Sequence, residues 1–92
     1  MEYKVTHNKD KNRFEVEIDG LISEVDYMLS DDTMVVTHTG VPTELEGRGI
    51  AAAMNKALLE YAQKSGIKVK PLCSYTATYI TRHPEYQCLV EE

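Results

Sequence analysis

The sequence of 92 residues lacks any long apolar run. No stretch approaches the roughly 18 apolar residues that a membrane-spanning helix needs, and the opening Met-Glu-Tyr-Lys lacks the basic and apolar regions of a signal peptide. We therefore expect a soluble, cytoplasmic protein with no membrane partner. Cysteine is scarce as well, and a single bridge between Cys73 and Cys88 would be a poor framework for a secreted domain, so we expect two reduced thiols.

Clusters of basic residues are also missing. The chain carries 10 Lys and Arg against 15 Asp and Glu, a formal net charge of -5, and its longest basic grouping is the alternating Lys68 and Lys70. This composition argues against a nucleic-acid partner. Residues 1–46 carry four basic and eleven acidic side chains (net -7), whereas residues 47–92 carry six and four (net +2), so we expect the two halves to face different partners.

Glycine and proline total only eight residues, and no low-complexity segment occurs. Hydrophobic residues make up 42% and charged residues 27% of the chain, which is typical of a compact globular protein. We expect residues 1–92 to form a single small domain that folds alone.

The first half alternates apolar and polar residues, which predicts antiparallel strands over 2–7, 14–18, 21–29 and 33–39. Asp19-Gly20 suits a tight hairpin turn between the second and third strands. The third strand should place Val25, Tyr27 and Leu29 on one face. Met34-Val35-Val36 gives the fourth strand two apolar faces, which is typical of a strand covered on both sides.

The second half has helical spacing from Gly47, with a cationic last turn at Lys64 and a glycine beyond it, which predicts a long helix. Residues 67–72 should form a short strand parallel to 33–39 through a right-handed crossover. Ser74 is expected to cap a second helix over 75–82, which must end before Pro84. Residues 86–90 allow a short terminal strand. The fold class is α+β: an antiparallel meander followed by a βαβ unit, with two main helices.

The segment 41–52 joins the fourth strand to the long helix and places small residues where backbone amides open that helix. Such amides can bind a pyrophosphate, and Arg48 can add a charged contact. Two glycines at a strand-to-helix turn also occur where the packing is simply tight, so both interpretations remain open. Neither a P-loop nor a dinucleotide-binding fingerprint fits, because no Gly-Lys-Ser/Thr follows and the glycines come after an antiparallel meander.

The order of elements, with 44–51 (Glu-Leu-Glu-Gly-Arg-Gly-Ile-Ala) opening an amphipathic helix, resembles the GNAT superfamily of acetyl-CoA-dependent acetyltransferases over roughly residues 33–90. The segments 71–75 (Pro-Leu-Cys-Ser-Tyr) and 83–86 (His-Pro-Glu-Tyr) are similar to the short YjdJ-like branch of that superfamily. The resemblance departs at Glu44, where the family pattern has Gln or Arg, and at Glu46.

The resemblance implies acetyl-CoA as the cofactor, bound where the two parallel strands splay apart. Pantetheine would pair with the main chain of Val35, Val36 and Thr37, and the pyrophosphate would lie on Gly47, Arg48, Gly49, Ile50, Ala51 and Ala52. Acetyl would pass to an unknown amine or protein acceptor at an open site, and the chain would be a monomer or weak homodimer. Two alternatives are a non-catalytic acyl-CoA-binding module and a small interaction domain without a ligand.

Cys73 and Tyr79 are the candidate catalytic residues. Cys73 lies where the parallel strand ends and the second helix begins, so it is either an acetyl-accepting nucleophile or a small buried hydrophobe. Tyr79 lies near the position where many GNAT enzymes carry a tyrosine that protonates the CoA thiolate, although it could simply pack on the sheet, as we expect of Tyr75.

Histidines and acidic residues give weaker candidates. His38 is a further candidate base, and His83 is expected to hold the end of the second helix by hydrogen bonding. Glu24 and Asp26 form either a solvated strand face or an acidic rim that attracts a cationic acceptor. No metal site is expected, because Cys73, His83 and Cys88 lack zinc spacing.

Overall fold

The computed structural model describes residues 3–91, which form one five-stranded sheet, two α-helices and two short 3-10 helices. The strands are β1 (Thr6–Asn8), β2 (Arg13–Ile18), β3 (Leu21–Ser30), β4 (Thr33–Gly40) and β5 (Lys68–Pro71); the α-helices are α1 (Ile50–Ser65) and α2 (Ser74–Arg82); the 3-10 helices are Thr43–Leu45 and Pro84–Leu89. The strand order follows the chain, β1 to β5. The predicted α+β class is confirmed.

The first four strands form the predicted antiparallel meander. Ile18 pairs directly with Leu21, so Asp19 and Gly20 are the whole turn, and their φ angles of 52° and 78° are both positive. Two positive φ angles are the signature of a type I′ turn, whose twist matches that of the flanking strands.

Helix α1 connects β4 to β5, and these two strands pair in parallel, as predicted. The helix ends at Gly66, whose φ is 70° and whose amide donates to the carbonyl of Ala62. One face of α1 covers one face of the sheet, and the fully buried side chains between them include Val25, Met34, Val36, Met54, Leu58, Leu59 and Val69. Within residues 3–91, the helices are too short or too polar to cross a membrane.

The opposite face of the sheet is open. Val35 is only half-buried, and Met28, its cross-strand partner, is 61% exposed. The prediction that β4 is buried on both sides is therefore wrong, because α2 lies beside α1 rather than across the sheet from it. Leu29 is also 55% exposed, next to the hairpin turn at 31–32, so it does not join Val25 and Tyr27 in the core.

Three predicted boundaries differ from the structure. Strand β1 begins at Thr6 rather than at residue 2, which lies outside the described residues. Residues 86–90 are not a strand: the 3-10 helix Pro84–Leu89 occupies most of this segment, since proline suits a first helical turn, and only Val90 makes a bridge, to Val69. Ser74 is the first residue of α2 rather than its cap, and Cys73 holds the N-cap position.

Candidate active site

Strands β4 and β5 separate before β4 ends. Their pairing runs only from Thr33 with Lys68 to Val36 with Pro71. The carbonyl of Val36 then accepts hydrogen bonds from the amides of Leu72 (3.0 Å) and Cys73 (2.9 Å), which turns the chain away from β4. Within the described residues, positions 37–40 of β4 therefore have no strand partner on this side.

A β-bulge in β4 coincides with this separation. Asp26 pairs with His38 while the adjacent Tyr27 pairs with Val36, so Thr37 is an extra residue without a partner. Bulges bend a strand and increase its local twist. Of the predicted pantetheine positions, Val35 and Val36 belong to the paired part of the strand, so an extended ligand can pair with the main chain only from Thr37 onward.

The loop before α1 contains two glycines in the left-handed conformation. Gly47 and Gly49 each have a φ of 80°, which residues with a β-carbon rarely adopt. A β-carbon added to either would meet no atom within 4 Å. The backbone conformation therefore requires these glycines, and the space beside them is open.

The first turn of α1 leaves its amides unpaired. Gly49 is the N-cap residue, no side chain caps the helix, and the first helical hydrogen bond runs from the Ala53 amide to the Gly49 carbonyl at 3.1 Å. The amides of Ile50, Ala51 and Ala52 therefore have no acceptor within the helix, and they lie at the positive end of its dipole. The structure brings together the amides predicted to bind phosphate.

A cavity of about 400 Å³ opens between these elements. Its walls combine the free edge of β4, the loop before α1, the first residues of α1 and the first turn of α2. The lining residues are Thr39, Val41, Leu45, Glu46, Gly47, Gly49, Ile50, Ala51 and Tyr75. Four predicted cofactor residues line it, whereas Ala52 lines an adjoining cavity of about 150 Å³ and Arg48 lies on the exposed surface.

The formal charge of the cavity lining is negative. Glu46 is its one acidic lining residue, and no Lys or Arg belongs to the lining set found in residues 3–91. The Arg48 backbone is held by Tyr3, whose hydroxyl donates to the Arg48 carbonyl at 2.6 Å. This contact joins residues 45 positions apart, which the local sequence pattern does not indicate.

Cys73 lies just behind the cavity wall. It is the N-cap residue of α2, only 9% exposed, and its Sγ is 3.4 Å from Oγ1 of Thr39, which lines the cavity. Burial alone would raise the pKa of the thiol, but hydrogen bonds from Thr39, Thr76 and the Tyr75 amide outweigh it, so the pKa lies below its ordinary value. Both Cys73 and the exposed Cys88 are unpaired.

The two tyrosines of α2 face different surroundings. Tyr75 is 39% exposed and lines the main cavity, so the prediction that it packs on the sheet is wrong. Tyr79 is 9% exposed, lines the adjoining cavity, and has its pKa raised, mainly by burial. His83 stacks on the Tyr79 ring at 4.0 Å, and its Nδ1 donates to the Tyr79 carbonyl at 2.8 Å, which confirms the predicted role of His83 at the helix end.

Asn55 is a residue near the site that the sequence analysis missed. Its side chain is fully buried and contacts Thr39 and Thr76, the two threonines that flank Cys73. The available signal was an asparagine beside Met54, within the apolar stripe of α1. An unexplained polar residue at a buried helical position indicates a hydrogen-bond network.

Each acidic residue of β3 lies near a basic side chain. Asp26 accepts from the Arg13 guanidinium at 3.0 Å, and a carboxylate oxygen of Glu24 lies 3.7 Å from Nε2 of His38. Both carboxylates are half-buried, and His38 is exposed. Three potential metal ligands lie within 4.8 Å of one another, one atom from each of Glu24, Asp26 and His38. A cation could bridge this separation. Arg13 already supplies a positive charge to Asp26.

The meander, the splayed parallel strands and the unpaired amides at the start of α1 together define an acyltransferase-like architecture. A family model described as GCN5-related N-acetyl-transferase matches residues 13–89. The chain belongs to the GCN5-related N-acetyltransferase family, whose fold and chemistry support acetyl transfer in general.

Individual relatives agree with this assignment. Protein NATD1 of Xenopus tropicalis is 27% identical over 89 residues, which cover 94% of this chain and 82% of the relative. Protein NATD1 of Homo sapiens is also 27% identical over 89 residues, which cover 79% of that relative. The NMR structure of a GCN5-like protein from Staphylococcus aureus is similar to this chain, with a TM-score of 0.75 and 26% sequence identity. The matched region covers 97% of this chain and 88% of the S. aureus chain.

Proposed function

We propose that the chain binds acetyl-CoA in the cavity between β4, α1 and α2. One observation carries this proposal: a single cavity of about 400 Å³ is bounded by the free edge of β4, the uncapped start of α1 and the first turn of α2. Pantetheine pairs with the main chain of residues 37–40, and the pyrophosphate lies on the amides of 47–52. The thioester then lies next to Thr39 and Cys73.

The phosphate contacts come mainly from the backbone. The free amides of α1 and the helix dipole favour an anion by about 0.3–1 kcal/mol at an exposed site. Arg48, on the exposed surface of the same loop, adds a charge to the outer phosphates. Glu46 opposes binding, so the ligand has to hold its phosphates on the amide side of the loop, away from this carboxylate.

Acetyl transfer proceeds either directly to the acceptor or through Cys73. In the second route the Cys73 thiolate attacks the thioester carbonyl carbon, a new carbon–sulfur bond forms, and the bond to CoA sulfur breaks. CoA leaves as a thiolate and takes a proton from a tyrosine of α2, Tyr79 by family resemblance or Tyr75 by its place in the cavity wall. An amine then attacks the carbonyl carbon of the acetyl-cysteine, the carbon–sulfur bond breaks, and Cys73 leaves as the thiolate. The proton that the nitrogen loses as the amide forms replaces the one that the tyrosine gave to CoA.

The acceptor is an amine, either a small molecule or a side chain of a protein. Glu24 and Asp26 give one edge of the site an acidic character that favours a cationic amine. His38, exposed beside Glu24 and one residue from Thr39, takes the proton that the ammonium group must lose before it attacks.

A second candidate function is an acyl-CoA-binding module without catalysis. Two observations favour it: Glu46 lines the cavity without a neighbouring basic side chain in the lining set of residues 3–91, and the Cys73 sulfur lies behind Thr39 rather than on the cavity wall. Such a module binds the thioester and leaves its acetyl group in place.

Calorimetry and intact-mass analysis separate these functions. We expect acetyl-CoA and CoA to bind with measurable heat, and wild-type protein to gain one acetyl group after incubation with acetyl-CoA. Cys73→Ser should bind and gain none. Cys88→Ser is the matched control, because Cys88 is an exposed thiol distant in sequence from the cavity segments, and it should gain the group as wild type does.

Each contrary result has a clear meaning. Absence of binding by both ligands would exclude the site altogether. Binding without acetylation or transfer would favour the module. Acetylation undiminished in Cys73→Ser would remove this residue from the route and leave direct transfer.

A further inference from the structure

A buried polar network connects β4, α1 and α2 beside the cavity. Its centre is Asn55, which is fully buried, as is Thr76. Nδ2 of Asn55 lies 2.9 Å from the Ala51 carbonyl and 3.4 Å from Oγ1 of Thr39, and Oδ1 of Asn55 lies 2.5 Å from Oγ1 of Thr76. Thr39 in turn contacts the sulfur of Cys73 at 3.4 Å.

The chemistry of the partners determines the orientation of the Asn55 amide. The Ala51 carbonyl can only accept, so the group facing it must be the NH2 end of the amide. The oxygen end then faces Thr76, whose hydroxyl donates to it. A flipped amide would bring two carbonyl oxygens together at 2.9 Å, which is strongly unfavourable.

This orientation also determines the role of the Thr39 hydroxyl. While Cys73 is protonated, its thiol donates to Oγ1 of Thr39 at 3.4 Å. Once the sulfur is ionised it can only accept, and because Asn55 donates an N–H to Oγ1 of Thr39, the hydroxyl proton of Thr39 is available for it. We propose that Asn55 is a positioning residue that keeps the Thr39 hydroxyl as a hydrogen-bond donor to the ionised Cys73 sulfur, stabilising this thiolate just behind the cavity wall. The inference rests on the proposed role of Cys73 as an acetyl acceptor.

The apolar surroundings of Asn55 make any unpaired polar atom of its amide unfavourable. Asn55 lies on α1 among the buried apolar residues Met54, Leu58 and Leu59. An amide in such a place must form its hydrogen bonds, and a network that is fully satisfied holds a single geometry. A network with a purely structural role would also hold a single geometry. The test must therefore measure the reactivity of the Cys73 sulfur and not only the folding of the protein.

Other ionisable groups surround Cys73. On the elements packed around it these are His38 on β4, Glu44, Glu46 and Arg48 in the loop before α1, Lys56, Glu60, Tyr61 and Lys64 on α1, Lys68 and Lys70 on β5, and Tyr75, Tyr79 and Arg82 on α2. Oγ1 of Thr39 lies 3.4 Å from the sulfur, and the causes that shift the thiol pKa are burial and the hydrogen bonds from Thr39, Thr76 and the Tyr75 amide. Variants at Thr39 leave all these charged groups in place.

The test is the pH dependence of Cys73 alkylation by iodoacetamide, with the exposed Cys88 of the same molecule as an internal control. Thr39→Val keeps the side-chain shape and removes the hydroxyl, so we expect alkylation of Cys73 at neutral pH to slow about tenfold and its midpoint to move to higher pH. Thr39→Ser restores the hydroxyl and should react nearly as wild type does. Alkylation of Cys88 should not change.

Asn55→Asp tests the positioning role itself. A carboxylate can only accept, so it draws the Thr39 hydroxyl away from the sulfur, and we expect a loss of Cys73 reactivity at least as large as in Thr39→Val. If this variant does not fold, the Thr39 pair still decides the question, since Thr39 is only half-buried.

Equal midpoints for wild type and Thr39→Val would overturn the inference. Equal slowing in Thr39→Val and Thr39→Ser would also overturn it, because the hydroxyl would then be irrelevant. The expected alkylation pattern in a protein that gains no acetyl group from acetyl-CoA would support the hydrogen-bond network and contradict the proposed role of Cys73 as an acetyl acceptor.

Discussion

At the scale of single residues, Tyr75 and Tyr79 compete for the role of proton donor to CoA. They are one helical turn apart, yet Tyr75 lines the main cavity and Tyr79 only the adjoining one. We expect Tyr75→Phe to lower the rate of CoA release from acetyl-CoA by about 100-fold, the usual scale of a lost general acid. Chromatographic measurement of free CoA gives this rate.

Tyr79→Phe is the matched comparison on the same helix. We expect a smaller loss, because the Tyr79 ring is stacked on His83 and 9% exposed. A larger loss in Tyr79→Phe than in Tyr75→Phe would instead support the role that family resemblance gives to Tyr79. Equal rates in wild type and both variants would remove tyrosine from the chemistry.

The residues of the site differed in how far the sequence could predict them. Gly47 and Gly49 were predictable because a turn that needs positive φ leaves a local signal, and glycine supplies it. Asn55 was not predictable as part of the site, because its partners Thr39 and Thr76 are 16 and 21 residues away. Periodicity identifies a buried position but not the hydrogen bonds made there.

At the scale of elements, the two ends of α1 provide a matched test of phosphate binding. Gly49 and Gly66 are its caps, with φ of 80° and 70°, and a β-carbon on either would meet open space. Alanine at each site should therefore lower the free energy of unfolding by about 1 kcal/mol. Only Gly49 lines the cavity, so we expect Gly49→Ala alone to weaken acetyl-CoA binding, by about tenfold.

Calorimetry and thermal unfolding of both variants check this expectation. Similar destabilisation with different affinities supports an anion site at the start of α1. If the two variants lose affinity equally, the loss reflects general destabilisation and the phosphates bind elsewhere.

The elements themselves were mostly predictable, but their separation at the site was not. The period changes from two to helical spacing near Gly47, and this change located α1 and the βαβ unit. No glycine or proline marks the bulge at Thr37, because it results from unequal pairing between β3 and β4. The apolar residues of segment 86–90 fit the spacing of a strand as well as that of a helix, so the sequence allowed a strand there. The structure has a 3-10 helix that begins at Pro84.

At the scale of the whole molecule, both α-helices lie on one face of the sheet, and within residues 3–91 no helix covers the other face. Ile22 and Met28 are 47% and 61% exposed, and Glu24 and Asp26 lie half-buried on the same strand. The acidic first half of the chain supplies this open strand face, whereas the cavity draws much of its wall from the second half. The expectation that the two halves face different partners stays a prediction, because the cavity lining found in residues 3–91 holds Glu46 and no basic side chain.

Stability should depend on pH through His7, which joins the first strand to the rest of the molecule. Its ring stacks on Phe14 at 4.0 Å and meets Tyr61 of α1 edge-on, and Nε2 lies 2.6 Å from the Tyr27 hydroxyl. Burial, and then the charge of Lys9, lower the pKa of His7 below its ordinary value of 6.5. The unfolded chain therefore takes up the proton first as the pH falls.

The free energy of unfolding should consequently be highest above pH 6.5, decrease as the pH falls below 6.5, and level off below the folded-state pKa. Urea titrations between neutral pH and about pH 5 measure this decrease. His7→Gln keeps a polar group near Tyr27 and does not titrate, so it should flatten the profile. A profile unchanged by His7→Gln would assign the decrease to other groups.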